Sequence, residues 1–256
     1  MAWNGSRPAA IFRESAKPQD SQSNTLLNDQ SQNSSKVFQD TPEKFTQSDI
    51  VTIYVGPERH RFTAHKDLLC SKSEYFRASL NGKWAESTSN VLDWNDEDDT
   101  VEVVKTMMTW LYGNRLDIEN VDHEHLINCY HFAHKRLLLD FQNELVDTLR
   151  ASLKKRKEYL SIEWPVDEKL LNLNATPLYS FMIQSVIWHM MQNKEEYIEG
   201  GEDADDTAVQ LGRANLGENL VKGMLRYLQA PYKDPVRWKG CHFHDHSDGS
   251  HCGRRR

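Results

Sequence analysis

The chain has little cysteine, no long apolar run and no excess of positive charge, and each shortage removes a class of protein. Four cysteines in 256 residues are too few for the disulfide framework that holds small secreted domains together. No window approaches the roughly 20 consecutive apolar residues of a membrane helix. The opening Met1-Ala-Trp-Asn-Gly-Ser-Arg7 lacks the apolar core of a secretory signal. These absences lead us to expect an intracellular protein that makes no use of a membrane, and they leave nucleus and cytoplasm equally open. Acids outnumber bases 38 to 31, for a net charge of -7, so nucleic acid is not the expected partner of the chain as a whole. The basic runs Lys154–Lys157 and Arg254–Arg256 are short and read as solvated ends. Glycine-rich nucleotide loops and the Gly-x-Ser-x-Gly elbow are missing as well, and no enzyme is expected.

What remains is polar: 38% of residues are hydrophobic and the mean hydropathy is -0.72. Much of that polarity is concentrated. Residues 14–48 hold sixteen Ser, Gln or Asn and only six apolar side chains, too few to offset the entropy of ordering, so residues 1–48 are expected to be a disordered arm. Order should begin at Asp49. Ile50-Val-Thr-Ile-Tyr-Val55 is a strand pattern, Gly56-Pro57 is a turn, and Arg61-Phe-Thr-Ala64 should return as the second strand of a hairpin. Ser71 and Glu74 have the spacing of a capping box, and the stripe Tyr75, Phe76, Leu80 should end at Gly82. Asn90–Trp94 is a short strand, and the acids at 96–99 suit the N-terminus of the helix carrying Val103, Val104, Met107, Met108, Trp110 and Leu111. Two more helices follow, through Leu126–Leu137 and Phe141–Leu149. Beyond them, Thr176-Pro177 opens an apolar helix, residues 199–206 form an acidic loop, and Leu220, Met224, Leu225 and Leu228, at i, i+4, i+5 and i+8, mark a last helix. Short strands alternating with helices imply a compact α/β (α+β) domain. The domain limits expected are 49–150 for this fold, 151–236 for a helical extension and 237–256 for a Cys/His-rich tail.

The order of motifs from Asp49 to Arg150 resembles a BTB/POZ domain. It carries an acidic residue before a β-branched strand (Asp49–Val55), then Phe62-Thr-Ala-His65-Lys-Asp-Leu68-Leu69, then Ser73 with Tyr75 and Phe76, the acidic turn, and the helix ending in Tyr112-Gly113. With Cys129-Tyr-His-Phe-Ala-His134 and the Thr176-Pro177 helix, the chain is similar to the single-BTB proteins of fungi. The resemblance implies a short mixed sheet flanked by helices and, in function, a non-catalytic protein–protein interaction module, an adaptor or scaffold with other proteins as partners and self-association within the family's range. It also implies that Asp49 and Lys66 match the charged positions of a partner-binding pocket, beside the plainer reading of an ion pair within the chain. The cullin-3 motif of family adaptors falls on Val104-Lys105-Thr106. Thr106 cannot supply its carboxylate, which argues against the alternative of a cullin-3 substrate adaptor. The polar arm offers no apolar N-terminal helix for an exchanged-strand dimer, so a monomer or a weaker dimer of other geometry is expected.

The tail is unusual. Cys241-His-Phe-His-Asp-His-Ser-Asp-Gly-Ser-His-Cys252 places six thiol or imidazole groups in twelve residues. Zinc takes four such ligands in a tetrahedron. The expected set for one structural zinc is Cys241, His244, His246 and Cys252, with His242 and His251 as open substitutes. A Cys241–Cys252 disulfide, a solvated His-rich tail and a transcriptional regulator using this tail on nucleic acid stand as alternatives. His242-Phe-His-Asp-His246 also resembles the His-x-His-x-Asp-His signature of metallo-β-lactamase-fold hydrolases, but it fails by one residue and has no scaffold downstream. His123, His125, His131 and His134 interleave with apolar residues and read as partly buried, hydrogen-bonded side chains rather than as ligands.

Overall fold

Alternation decides the centre of the molecule. In strand β1 (Ile50–Val55), Val51, Ile53 and Val55 turn to one side and are fully buried, while Thr52 and Tyr54 are half-buried on the other. That is the period of two that a half-covered sheet demands. In this computed structural model, residues 48–83, 85–113, 115–116, 122–160, 172–194 and 217–246 are described. The polar arm up to residue 47, the acidic loop at 199–206, and His251 and Cys252 lie outside them.

β1 pairs antiparallel with β2 (His60–His65) and parallel with β3 (Val91–Trp94), giving the order β2-β1-β3. The sheet is therefore short and mixed, as expected. Its hairpin turns at Gly56, which needs its positive φ of 70°, and Arg59 donates from its backbone to Gly56 O at 2.9 Å. Between β2 and β3 come α1 (Lys66–Lys72), α2 (Glu74–Asn81) and α3 (Ala85–Ser89). The serine that caps α2 is Ser73, whose hydroxyl accepts from Phe76 N–H at 3.2 Å. Ser71 belongs to α1, and its hydroxyl donates to Leu68 O at 2.8 Å. The capping box expected at Ser71 is thus replaced by a cap two residues later. Phe76 and Leu80 are buried and the helix stops at Gly82, as the stripe implied.

α4 (Val101–Leu111) is capped by Thr100, and it buries Val103, Val104, Met107 and Leu111. Its C-terminus turns on Gly113, at φ 80°, whose N–H donates to Trp110 O at 2.9 Å. α5 (His123–Lys135) and α6 (Leu139–Arg156) pack antiparallel beside it, with Trp110 stacked on Phe141 at 4.8 Å. The acidic turn stands before the N-terminus of α4, and it also reaches across to α5. Asp98 lies 3.0 Å from Lys135 Nζ and 3.3 Å from His131, and Asp99 pairs with Arg136 at 2.7 Å. The acids therefore anchor the far end of α5 and its following loop.

α7 (Pro177–Gln192) starts on Thr176, whose hydroxyl accepts from Tyr179 N–H, with Pro177 in the first turn. α8 (Gly217–Gln229) lies against it. Gly223 permits the approach: a Cβ there would sit 2.2 Å from Ile187 Cδ1. Tyr227 accepts a hydrogen bond from Gln192, and Asn219 donates to Tyr179. The buried face of α8 is Leu220, Met224 and Tyr227; Val221, Leu225 and Leu228 are exposed. Of the four residues whose spacing marked this helix, Leu220 and Met224 thus turn toward the core, and Leu225 and Leu228 do not. From α8 the chain passes through a 3-10 turn (Pro235–Arg237) to residues 238–246, which run back over α6.

Candidate functional site

Two places carry the residues singled out above. The first is a corner of the sheet. Ile50 of β1 faces His65 of β2 across the hairpin, and directly opposed residues share one face of a sheet. His65 Nδ1 lies 2.9 Å from the Tyr112 hydroxyl, which also accepts from His65 N–H at 3.3 Å. Ile50, His65 and Tyr112 are thus neighbours, and both Ile50 and Tyr112 are about half exposed, at 50% and 45%. Asp49 and Lys66 flank this corner and are joined through the backbone, Lys66 N–H donating to Asp49 O at 2.8 Å. The lysine ammonium, however, goes to Asn90 Oδ1 at 3.1 Å. No ion pair between Lys66 and Asp49 forms among the described residues, so the acid presents an exposed carboxylate beside two exposed apolar side chains.

The helical histidines divide. His123 is buried with Nε2 3.0 Å from Ser152 Oγ, and burial pulls its pKa below the ordinary 6.5. His125 meets Thr106 Oγ1 at 2.8 Å, His131 meets Asp98, and His134 is exposed. Three of the four are therefore engaged side chains, as their interleaving suggested. Burial pushes the Cys129 thiol up to about 12, which keeps it protonated and unreactive.

The second place is the tail. The side-chain ligand atoms of Cys241, His244 and His246 all lie within 4.8 Å of one another. A tight turn makes this so, His244 N–H donating to Cys241 O at 3.2 Å after Gly240 at φ 86°. His242 points elsewhere and packs edge-on against Trp238, ring centroids 4.2 Å apart. Of the four residues expected from sequence, three converge, and Cys252 lies outside the described residues.

What holds this turn comes from a hundred residues upstream. Asn143 on α6 donates to Asp245 O and accepts from Asp245 N–H, both at 2.9 Å. Phe243 is fully buried, edge-on to Phe181 of α7 at 5.2 Å and stacked on Trp238 at 5.4 Å. Arg150 reaches Trp238 O and also Asp147 Oδ1, at 3.1 Å in the latter case. The same Asp147 Oδ1 stands 3.0 Å from His244 Nε2. This carboxylate raises the His244 pKa above its ordinary 6.5, against the opposing effect of burial. Nothing in the spacing of the tail could have named Asn143 or Asp147, because they belong to a helix and carry no motif of their own. One thiol and two imidazoles are donors of the kind that zinc accepts.

Comparison with known proteins places the sheet and its helices. Residues 38–149 match the family model of the BTB/POZ domain, opening ahead of Asp49 and closing just before Arg150. Over 123 residues, 48% of this chain, the protein is 27% identical to BTB/POZ domain-containing protein 9 of Drosophila melanogaster. The matched stretch spans 15% of that relative's length. The tail lies beyond the residues matched by the domain model.

Proposed function

Starting from a chain that carries a BTB/POZ domain over residues 38–149, we propose that it serves as a non-catalytic adaptor or scaffold whose partner-facing surface is the Asp49–Ile50–Lys66–Tyr112 corner. The domain is a protein–protein interaction module, so other proteins are its partners. The observation that carries the choice of surface is the exposure of Ile50 and Tyr112, each a neighbour of His65, with the exposed Asp49 next to them. Exposed apolar side chains rimmed by charge are what an interface core needs. Val104 of the cullin-3 motif is fully buried and Thr106 bonds His125 and Glu102 O, so that recognition mode finds no support here. Within the family, the single-BTB type of fungi is the assignment we favour, on the α5 sequence and the Thr176-capped α7.

The test is a comparison of wild type with an Ile50→Asp/Tyr112→Ser variant. Both side chains are about half exposed, so the variant should stay folded and melt only modestly lower, by about 1 kcal/mol for the hydrogen bonds that Tyr112 makes to His65. Self-association, followed by light scattering across concentration, and the set of proteins crosslinked to the full chain in its native cell should both be reduced in the variant. Unchanged association and an unchanged crosslinked set would move the interface off this corner.

A further inference from the structure

We propose that Cys241, His244 and His246 bind a zinc-class divalent cation that fastens the tail to α6, with Asp147 orienting His244 from outside the ligand set. The site is distinct from the corner above, and its failure would leave the adaptor reading intact.

The argument begins with preorganisation. Metal sites fail when the backbone that carries their ligands is loose. Here residues 241–246 are held by the paired hydrogen bonds of Asn143 with Asp245 and by buried Phe243. The ligand atoms already gather within 4.8 Å. Tetrahedral zinc with its usual N and S bond lengths separates ligand atoms by about 3.4–3.8 Å, so shifts of about 1 Å in these partly buried side chains close the site. A ligating histidine characteristically gives its other ring nitrogen to a carboxylate, and Asp147 stands 3.0 Å from His244 Nε2. Arg150 in turn holds the same Asp147 oxygen at 3.1 Å. Cys252, six residues past His246, is the ligand the sequence offers for the fourth position. A histidine-rich tail binding metal by chance would not need a thiol and a particular pair of imidazoles, and it would not involve α6.

The experiment uses the untagged full chain, purified under reducing conditions, desalted and analysed for metal. One zinc per chain is expected in the wild type, with loss of at least nine-tenths of it in Cys241→Ser and in His246→Ala. His242→Ala should keep its zinc. Cobalt(II) substitution should give a thiolate charge-transfer band that Cys241→Ser abolishes. Asp147→Asn should retain the ligands but weaken zinc affinity about 10- to 100-fold in a chelator competition. Chelation should lower the melting temperature of the wild type and leave that of Cys241→Ser unmoved. Zinc well below one per chain in the wild type, or equal loss in His242→Ala and His246→Ala, would overturn the site. An Asp147→Asn variant with unaltered affinity would overturn the coupling to α6.

Discussion

Replacing Arg136 with methionine puts a number on the contact that joins the acidic turn to α5. The guanidinium lies 2.7 Å from Asp99 Oδ2, and the two side chains are 6% and 2% exposed. It also covers the rings of Trp94 at 4.4 Å and Phe132 at 3.9 Å, and the Arg136 carbonyl accepts from the Ser73 hydroxyl that caps α2. Removing the cation leaves a buried carboxylate with no counter-charge, a loss of about 3–5 kcal/mol. For a chain of this size each kcal/mol moves the melting temperature by about 2–4 °C, so Arg136→Met should melt about 6–20 °C lower by circular dichroism. The pair itself contributes much less. Arg136 Nε and Nη1 and Asp99 Oδ1 make no hydrogen bond among the described residues, so the desolvation of both ions is incompletely repaid. The double variant Asp99→Leu/Arg136→Met should therefore recover most of the loss, ending about 1–2 kcal/mol below wild type for the forfeited cation–π contacts. A double variant no more stable than the single would refute the reasoning, as would a single variant that melts with the wild type.

Leu220→Ala, which empties a buried position on α8, should cost about 2–5 kcal/mol, while exposed Leu228→Ala stays within about 0.5 kcal/mol; urea midpoints distinguish them. Gly223→Val brings a side chain onto Ile187 and should destabilise by about 1–3 kcal/mol, read as faster amide exchange in α7 and α8. His123, with its pKa held below 6.5 by burial, binds its proton more readily in the unfolded chain. Its contribution is complete above 6.5 and declines as pH falls from there through the folded-state pKa. His123→Gln should flatten that decline in pH-dependent melting, and an identical pH slope in both proteins would sink the assignment.

The sheet and the helices were legible because each rests on a local pattern: β1 on alternation, α2 on its stripe and Gly82, α7 on Thr176-Pro177. Where the sequence misled, a distant partner had intervened. Ser71 and Ser73 are equally good caps by chemistry, and the extent of α1 decides between them. The acids of 96–99 stand before α4 as dipole partners do, but nothing local shows that Lys135 and Arg136 come back to pair with them. α8 has apolar residues enough for two faces, and Gly223 against Ile187 selects one. The tail shows the same division: Cys241, His244 and His246 announce themselves by spacing, whereas Asn143 and Asp147 become visible only when the chain has returned to α6.

That return has a consequence in time. Asn143 and Asp245 are 102 residues apart, and synthesis at about 5–20 residues per second delivers the second roughly 5–20 s after the first. The sheet, with its hairpin and its nearby helices, has every partner it needs well before then. A nascent chain will therefore expose the bare side of α6, with Asn143 still without Asp245 and Asp147 without His244, for an interval that a ribosome-associated binder could use. Docking of residues 241–246 on α6 therefore follows the assembly of the sheet and its helices.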